Sequence, residues 1–313
     1  PNSLPYITSY YKKDWGFSIK FNKLKKMSSN QKYKAFIDSK FLNGQMDYGE
    51  LVINGKSKKT ILICSYICHP SMANNELSGP LVVTALSKIL KPSKYTIRLL
   101  LIPETIGAVS YIFKNKNYLQ KNLVAGFNLS CVGDKGDFNL ISSKDENTYA
   151  DLIAQRILSK KKKFKKLSFL KRGSNERQFG CQNLNLPFVT ICRTRFGDYK
   201  EYHTSDDNLK ILSEKNLQET VKLISDIVKE IQDNKIFKKN MICEPFLTKY
   251  KLINTTSGFT KTKKIFEDLQ NIIAYVGRDH DIKSLSKKLN IDQKRVQNLI
   301  SIIKKKGIVS EYI

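Results

Sequence analysis

Four short stretches of this chain hold residues that could do chemistry together. "CHPSMANNELSGP" (68–80) carries His69 and Glu76, "IPETIG" (102–107) carries Glu104, "LSCVGD" (129–134) carries Asp134, and "EYHTSDDNL" (201–209) carries His203. Hydrolysis at a zinc ion needs neutral imidazoles and carboxylates as ligands, an open position for water, and a carboxylate base that is not itself a ligand. The chain has 3 histidines, and His69 and His203 both lie in polar loops rather than on periodic apolar faces. Each signal also has an ordinary reading. A histidine at a strand end is commonly structural, Glu104 can be the acidic first turn of a helix, and the Ser-Asp-Asp-Asn run after His203 can be an N-cap cluster.

The elements that must position these residues alternate. Strand patterns at 60–67, 96–103, 124–131 and 187–193 are separated by helical patterns near 79–91, 106–115, 145–163 and 213–233. Short apolar strands between helices predict a mostly parallel α/β sheet flanked by helices, with ligands gathering at the carboxyl ends of the strands. The three earlier stretches each follow such a strand, and Ser78-Gly79-Pro80 is placed to start the next helix tightly. Before the sheet, residues 1–58 read as a small β-rich subdomain, with alternation in "GFSIKF" and "YKAFIDSKF" and turn dipeptides at Asn43-Gly44 and Asn54-Gly55. The main α/β domain then covers 59–240.

Residues 241–263 read as a linker. Three helical patterns over 264–313, closed by a strand-like "IVSEYI", follow the plan of a winged helix-turn-helix, with Asn290 and Asp292 as turn and cap signals. In the third pattern Val296, Leu299, Ile300 and Ile303 mark a core face, while Lys294, Arg295, Lys304, Lys305 and Lys306 offer charge to phosphates.

Composition narrows the class. The chain has 313 residues with 41% hydrophobic content and no apolar run long enough to cross a membrane, which predicts a globular protein with no membrane partner. The 6 cysteines show no zinc-ribbon or thioredoxin spacing and read as core thiols of a reducing, cytoplasmic compartment. The excess of 55 Lys+Arg over 28 Asp+Glu gives a net charge of +27. Most of the lysines are scattered, so the charge speaks to non-specific attraction more than to a reading surface for nucleic acid. Pro1 in place of Met predicts a processed chain or part of a longer one.

Taken together, "CHPSMANNELSGP", "IPETIGAVSYI", "CVGD", "GSNERQF" and "EYHTSDDNL" resemble the bacterial aminopeptidase-like family of polysaccharide-biosynthesis proteins. That family joins a zinc-peptidase-like core to a small β domain and a C-terminal winged helix. It is distantly similar to the co-catalytic zinc aminopeptidases. Their bridging aspartate falls on Asn75, the second of their paired glutamates on Thr105, and a later acidic ligand on or near Ser130.

The resemblance implies a single zinc ion held by His69, His203 and either Glu76 or Asp134, with Glu104 as general base. "GSNERQF" would line the pocket, Arg177 meeting a substrate carboxylate and Glu176 a free amine, and Tyr202 could donate to an oxyanion. The expected function is zinc-dependent hydrolysis of an amide in a peptide-like or amino-sugar precursor. The alternative is a catalytically inactive metal-binding scaffold whose winged helix and basic surface bind nucleic acid or a protein.

Overall fold

A computed structural model describes residues 2–9, 12–161, 163–252, 261–277 and 279–312, with the side chains of 261–263 left out. At its centre is the β-branched run that the sequence marks as a buried strand. Strands β1 (Gly49–Ile53), β2 (Ser57–Tyr66), β3 (Tyr95–Ile102), β4 (Leu123–Leu129), β5 (Phe138–Ile141), β6 (Phe164–Leu167) and β7 (Phe188–Cys192) form a 7-stranded sheet in the order β1-β3-β2-β4-β7-β5-β6. The central strands β3, β2, β4 and β7 are parallel. β1 runs antiparallel on β3, and β5 runs antiparallel on β7.

Alternation along β2 feeds two cores. Ile61 and Ile63 pack with residues of helices α2 (Ser78–Ile89), α4 (Tyr149–Leu158) and α6 (Glu214–Asp233), whereas Leu62 and Cys64 pack with α3 (Ile106–Asn122) and Phe179 of the short α5 (Glu176–Phe179). All four of these β2 side chains are fully buried. Each such aliphatic burial contributes about 1.5–3 kcal/mol, so the strand is held from both faces. The chain leaves β2 for β3 on one side and then crosses to β4 on the other. This reversal opens a crevice at the carboxyl ends of β2 and β4.

Gly79 allows α2 to start there. A Cβ at this position would lie 2.0 Å from Ser65 Oγ and 2.9 Å from the Leu129 carbonyl oxygen.

Three expectations are corrected. Residues 12–48 contain no strand, only the four-residue helix α1 (Phe21–Leu24), and β1, expected in a separate β-rich subdomain, belongs to the main sheet. Phe17, Phe36 and Phe41 there are exposed, and an alternating pattern without an apolar surface to cover does not sustain a hairpin. The helix expected over 145–163 runs only over 149–158, its start set by the Thr148–Asp151 capping box. Finally, the basic run after it supplies β6, whose lysines suit the edge of a sheet.

C-terminal helices α7 (Lys261–Tyr275), α8 (Ile282–Leu289) and α9 (Gln293–Lys305) enclose their own core, and Val296, Leu299, Ile300 and Ile303 are buried in it as their spacing predicts. Asn290 ends α8 in the left-handed conformation, and Asp292 caps α9 through the Arg295 N–H. The strand after α9, β9 (Val309–Glu311), pairs with β8 (Phe237–Lys239), which precedes α7. Among the described residues, therefore, no hairpin follows α9 as a wing. This unit is tied to the large domain by Arg156 of α4, whose guanidinium bonds Asp281 at 2.7 and 3.0 Å and Glu230 at 2.9 Å.

Gly79→Ala should cost about 1–3 kcal/mol in urea unfolding, the usual range for overpacking, and an unchanged midpoint would contradict the close approach. Arg156→Ala, which strands the buried Asp281 carboxylate, should cost about 3 kcal/mol. Burial raises the Glu230 pKa, but Lys283, Asn234 and Arg156 outweigh it and bring the carboxyl from 4.5 down to about 2. Its contribution is therefore complete above about 4.5 and is lost as pH falls through about 2. Amide exchange in α8 should accelerate over that interval; constant protection would contradict the ion-pair tether.

Candidate active site

Four loops meet in the crevice, those that follow β2, β3, β4 and β7. Each contains one non-glycine residue with left-handed backbone: Ser71 (φ 64°), Thr105 (φ 60°), Cys131 (φ 50°) and His203 (φ 52°). Side chains other than glycine hold such angles only when the surroundings over-determine them, at about 1 kcal/mol or more each. The sheet thus places its strained backbone where the candidate residues sit.

His69 is 4% exposed at the end of the β2 loop. Its backbone N–H donates to Glu76 Oε2 at 2.8 Å. The two ring nitrogens face different groups: Nδ1 lies 3.3 Å from Cys68 Sγ and 3.5 Å from Glu76 Oε2, while Nε2 lies 3.8 Å from Glu104 Oε2. Burial lowers the pKa of this imidazole, but the Cys68 sulfur and the Glu76 and Glu104 carboxylates outweigh it and raise the pKa to about 10.

Glu104 is fixed from the other side. Ser174 Oγ donates to its Oε1 at 2.5 Å, its own N–H donates to Cys68 Sγ at 3.1 Å, and the next N–H, of Thr105, donates to Asn175 Oδ1 at 3.0 Å. Burial raises the Glu104 pKa, against the lowering influence of Ser174 and His69.

His203 arrives from the loop after β7, and its ring centroid lies 5.3 Å from that of His69. Tyr202 stacks on it at 4.0 Å and 12°. Burial, followed by the charge of His69, lowers the His203 pKa. Its Nε2 is buried without a hydrogen-bond partner among the described atoms.

What holds this loop against the β2 loop is Asp207. This fully buried carboxylate accepts from the N–H groups of Ala73, Asn74 and Asn75 at 3.1, 2.6 and 3.0 Å, and from Tyr199 Oη at 2.9 Å. The donors begin the π-helical turn Ala73–Leu77, whose first N–H groups have no partner of their own. The only sequence signal for Asp207 was the acidic pair after His203, which also reads as an ordinary N-cap.

Other candidates lie elsewhere. Both oxygens of Asp134 are engaged, by Asn74 Nδ2 at 2.7 Å, Gly136 N at 2.6 Å and Thr194 Oγ1 at 2.9 Å, and the cluster of donor atoms that lie within 4.8 Å of one another contains Cys68, His69 and Glu76, with Asp134 and His203 both outside it. Glu176 is fully buried and closes its own turn by accepting from Gly173 N, Ser174 N and Thr190 Oγ1, which leaves it unsuited to a substrate amine. Arg177 is exposed. Tyr202 packs on His203, where burial raises its pKa.

Where the resemblance implied lost acidic ligands, a neutral network closes. Tyr66 Oη bonds Asn75 Oδ1 at 2.8 Å and Ser130 Oγ at 2.7 Å, and Cys131 Sγ approaches Asn75 Oδ1 at 3.6 Å. Among the described residues, Cys68, Ser174 and Asn175 are further members of the site. Cys68 was hidden by its apolar neighbours, and Ser174 and Asn175 lay unremarked inside "GSNERQF".

Asp207→Ala should cost about 3 kcal/mol, since each charge-assisted hydrogen bond contributes about 1.5–3 kcal/mol, and should speed amide exchange at Ala73–Asn75. Unchanged exchange there would contradict the brace.

The family model described as a domain of unknown function (DUF4910) matches residues 16–234. A Clostridium acetobutylicum protein, provisionally named a polysaccharide biosynthesis protein with aminopeptidase-like domain, is 36% identical over 263 residues, 82% of this chain. The match takes in 60% of that relative's length. A crystal structure of a provisionally named peptidase, also from Clostridium acetobutylicum, is 30% identical with a TM-score of 0.72, covering 99% of this chain and 71% of that one. BSAP, a zinc aminopeptidase from Bacillus subtilis, shares the fold with a TM-score of 0.50 at 19% identity, over 58% of this chain and 49% of its own. With an aminopeptidase-like sheet and a family match over most of its length, the chain belongs to the DUF4910 family.

Proposed function

We propose that this protein is a zinc-dependent amide hydrolase of aminopeptidase type. The observation that carries the reading is the adjacency of two imidazoles from distant loops, with a carboxylate at each ring nitrogen of one of them.

Cys68, His69 and Glu76 present donor atoms within 4.8 Å of one another, close enough to share one zinc ion. Ligands held at about 2.0–2.3 Å in a tetrahedron stand about 3.3–3.7 Å apart, and the separations from His69 Nδ1 to Cys68 Sγ and Glu76 Oε2 are 3.3 and 3.5 Å. His203 Nε2 lies outside that cluster but is buried without a hydrogen-bond partner among the described atoms, and its ring centroid is 5.3 Å from that of His69, so that a small movement of its loop would bring it to the ion. His69, His203 and Glu76 would hold the ion. When bound, zinc supplies a Lewis acid that polarises a carbonyl and makes water more acidic.

Glu104 supplies the base. Ser174 holds Oε1, so Oε2 is the oxygen that takes a proton from water and returns it to the leaving amine. Its raised pKa brings it nearer to the operating pH of such a base. Arg177, exposed beside the buried 174–176 turn, would meet a substrate carboxylate. The relative's name makes an amide-bearing precursor of a surface polysaccharide the first substrate class to screen.

A second reading, a metal-binding scaffold without catalysis, draws on the neutral Asn75–Tyr66–Ser130 network, which offers no anionic ligand to a second ion. Equilibrium dialysis should find one zinc per chain for the wild type and a large loss for His69→Ala. In a peptidase and amidase screen, Glu104→Gln should keep zinc but lower turnover about 10²–10⁴-fold. Wild-type protein that binds no zinc would overturn the proposal, and protein that binds zinc but hydrolyses nothing would favour the scaffold.

A further inference from the structure

The segment before the first helix reaches across to the β7 loop. Leu4 and Ser205 exchange two hydrogen bonds, Leu4 N to Ser205 Oγ at 2.9 Å and Ser205 N to the Leu4 carbonyl at 2.8 Å. Tyr6 N donates to the His203 carbonyl at 2.8 Å, Pro5 forms a β-bridge with Thr204, and Ser3 bonds Asp206. This strap pairs with the carbonyl of the left-handed His203 and with the three residues that follow it, and so supports a conformation that the local preferences of His203 would not keep.

The strap also delivers a ring. Tyr6 meets His203 edge-on at 5.3 Å and 73°, and lies 5.6 Å from His69. His203 thereby lies against the Tyr202 face and the Tyr6 ring, with the His69 ring 5.3 Å away. The Tyr6 hydroxyl contributes less, since its bond to the Cys68 carbonyl is 3.4 Å long.

We infer that Tyr6 is a positioning residue of the metal site: its ring, strapped to the His203 loop by residues 3–6, fixes the backbone and imidazole of His203 beside His69. The inference rests on the zinc reading above. It adds an aromatic from the start of the described chain to a site otherwise built from strand ends. An aromatic has little conformational freedom to lose, so it makes an effective wall for an imidazole. Groups that orient a ligand typically govern metal affinity by about 10–100-fold.

The test uses full-length protein and cobalt(II) as the probe, read by competition against a chromophoric chelator and by its visible absorption. Tyr6→Phe should bind cobalt within about 3-fold of wild type, with the same spectrum. Tyr6→Ala should bind about 10–100-fold more weakly with an altered band shape, and amide exchange at Ser205 in the metal-free protein should quicken. A melting curve of each metal-free variant checks that it is folded. Tyr6→Leu, which restores bulk without a flat ring, is the substitute if Tyr6→Ala is not, and should weaken binding and change the band in the same direction. Unchanged affinity and spectrum in a folded Tyr6→Ala or Tyr6→Leu, with wild type binding cobalt normally, would overturn the inference and leave the zinc reading standing. Wild type that binds no cobalt or zinc would remove both.

Discussion

One buried carboxylate governs whether the two histidines meet. Asp207 belongs to the loop after β7, yet every backbone donor it satisfies belongs to the turn after β2. The first turn of a helix leaves N–H groups with nothing to bond inside the helix, and a buried anion needs several donors to offset its lost hydration. Each solves the other's problem, so the loops are drawn together by complementary deficits. His69 and His203 lie on either side of this joint.

The electrostatics follow from that closure. His69 sits between two carboxylates and a thiol, which raise its pKa against the effect of burial, while burial and then the charge of His69 lower that of His203. Asn75, Ser130 and Tyr66 fill the adjoining space with hydrogen bonds that carry no charge. The carboxylates of the crevice thus cluster around His69, and the adjoining space has no anionic group of its own.

Much of the fold was legible from periodicity, because strands buried on both faces read as continuous apolar runs and the helices between them keep a 3.6-residue stripe. The core face of α9 and the caps at Asn290 and Asp292 are local features and were predicted residue by residue. What escaped depends on partners remote in sequence. Residues 12–48 alternate like strands but lie on no apolar surface, and β6 hides in a lysine run because an edge strand tolerates charge. His69, Glu104 and His203, singled out by residue type and loop position, do meet in the crevice. Asp134 and Glu176 have the right chemistry, but neighbouring donors already occupy their oxygens. Asp207 and Tyr6 act through backbone geometry, which residue type does not announce.

The central claim is that one metal ion joins the imidazoles of His69 and His203. Anomalous scattering at the zinc absorption edge, from crystals grown with zinc, tests it most directly. A single strong peak within bonding distance of both rings and of the Glu76 carboxylate is expected. A peak touching only one ring, two peaks in the crevice, or none there would contradict it.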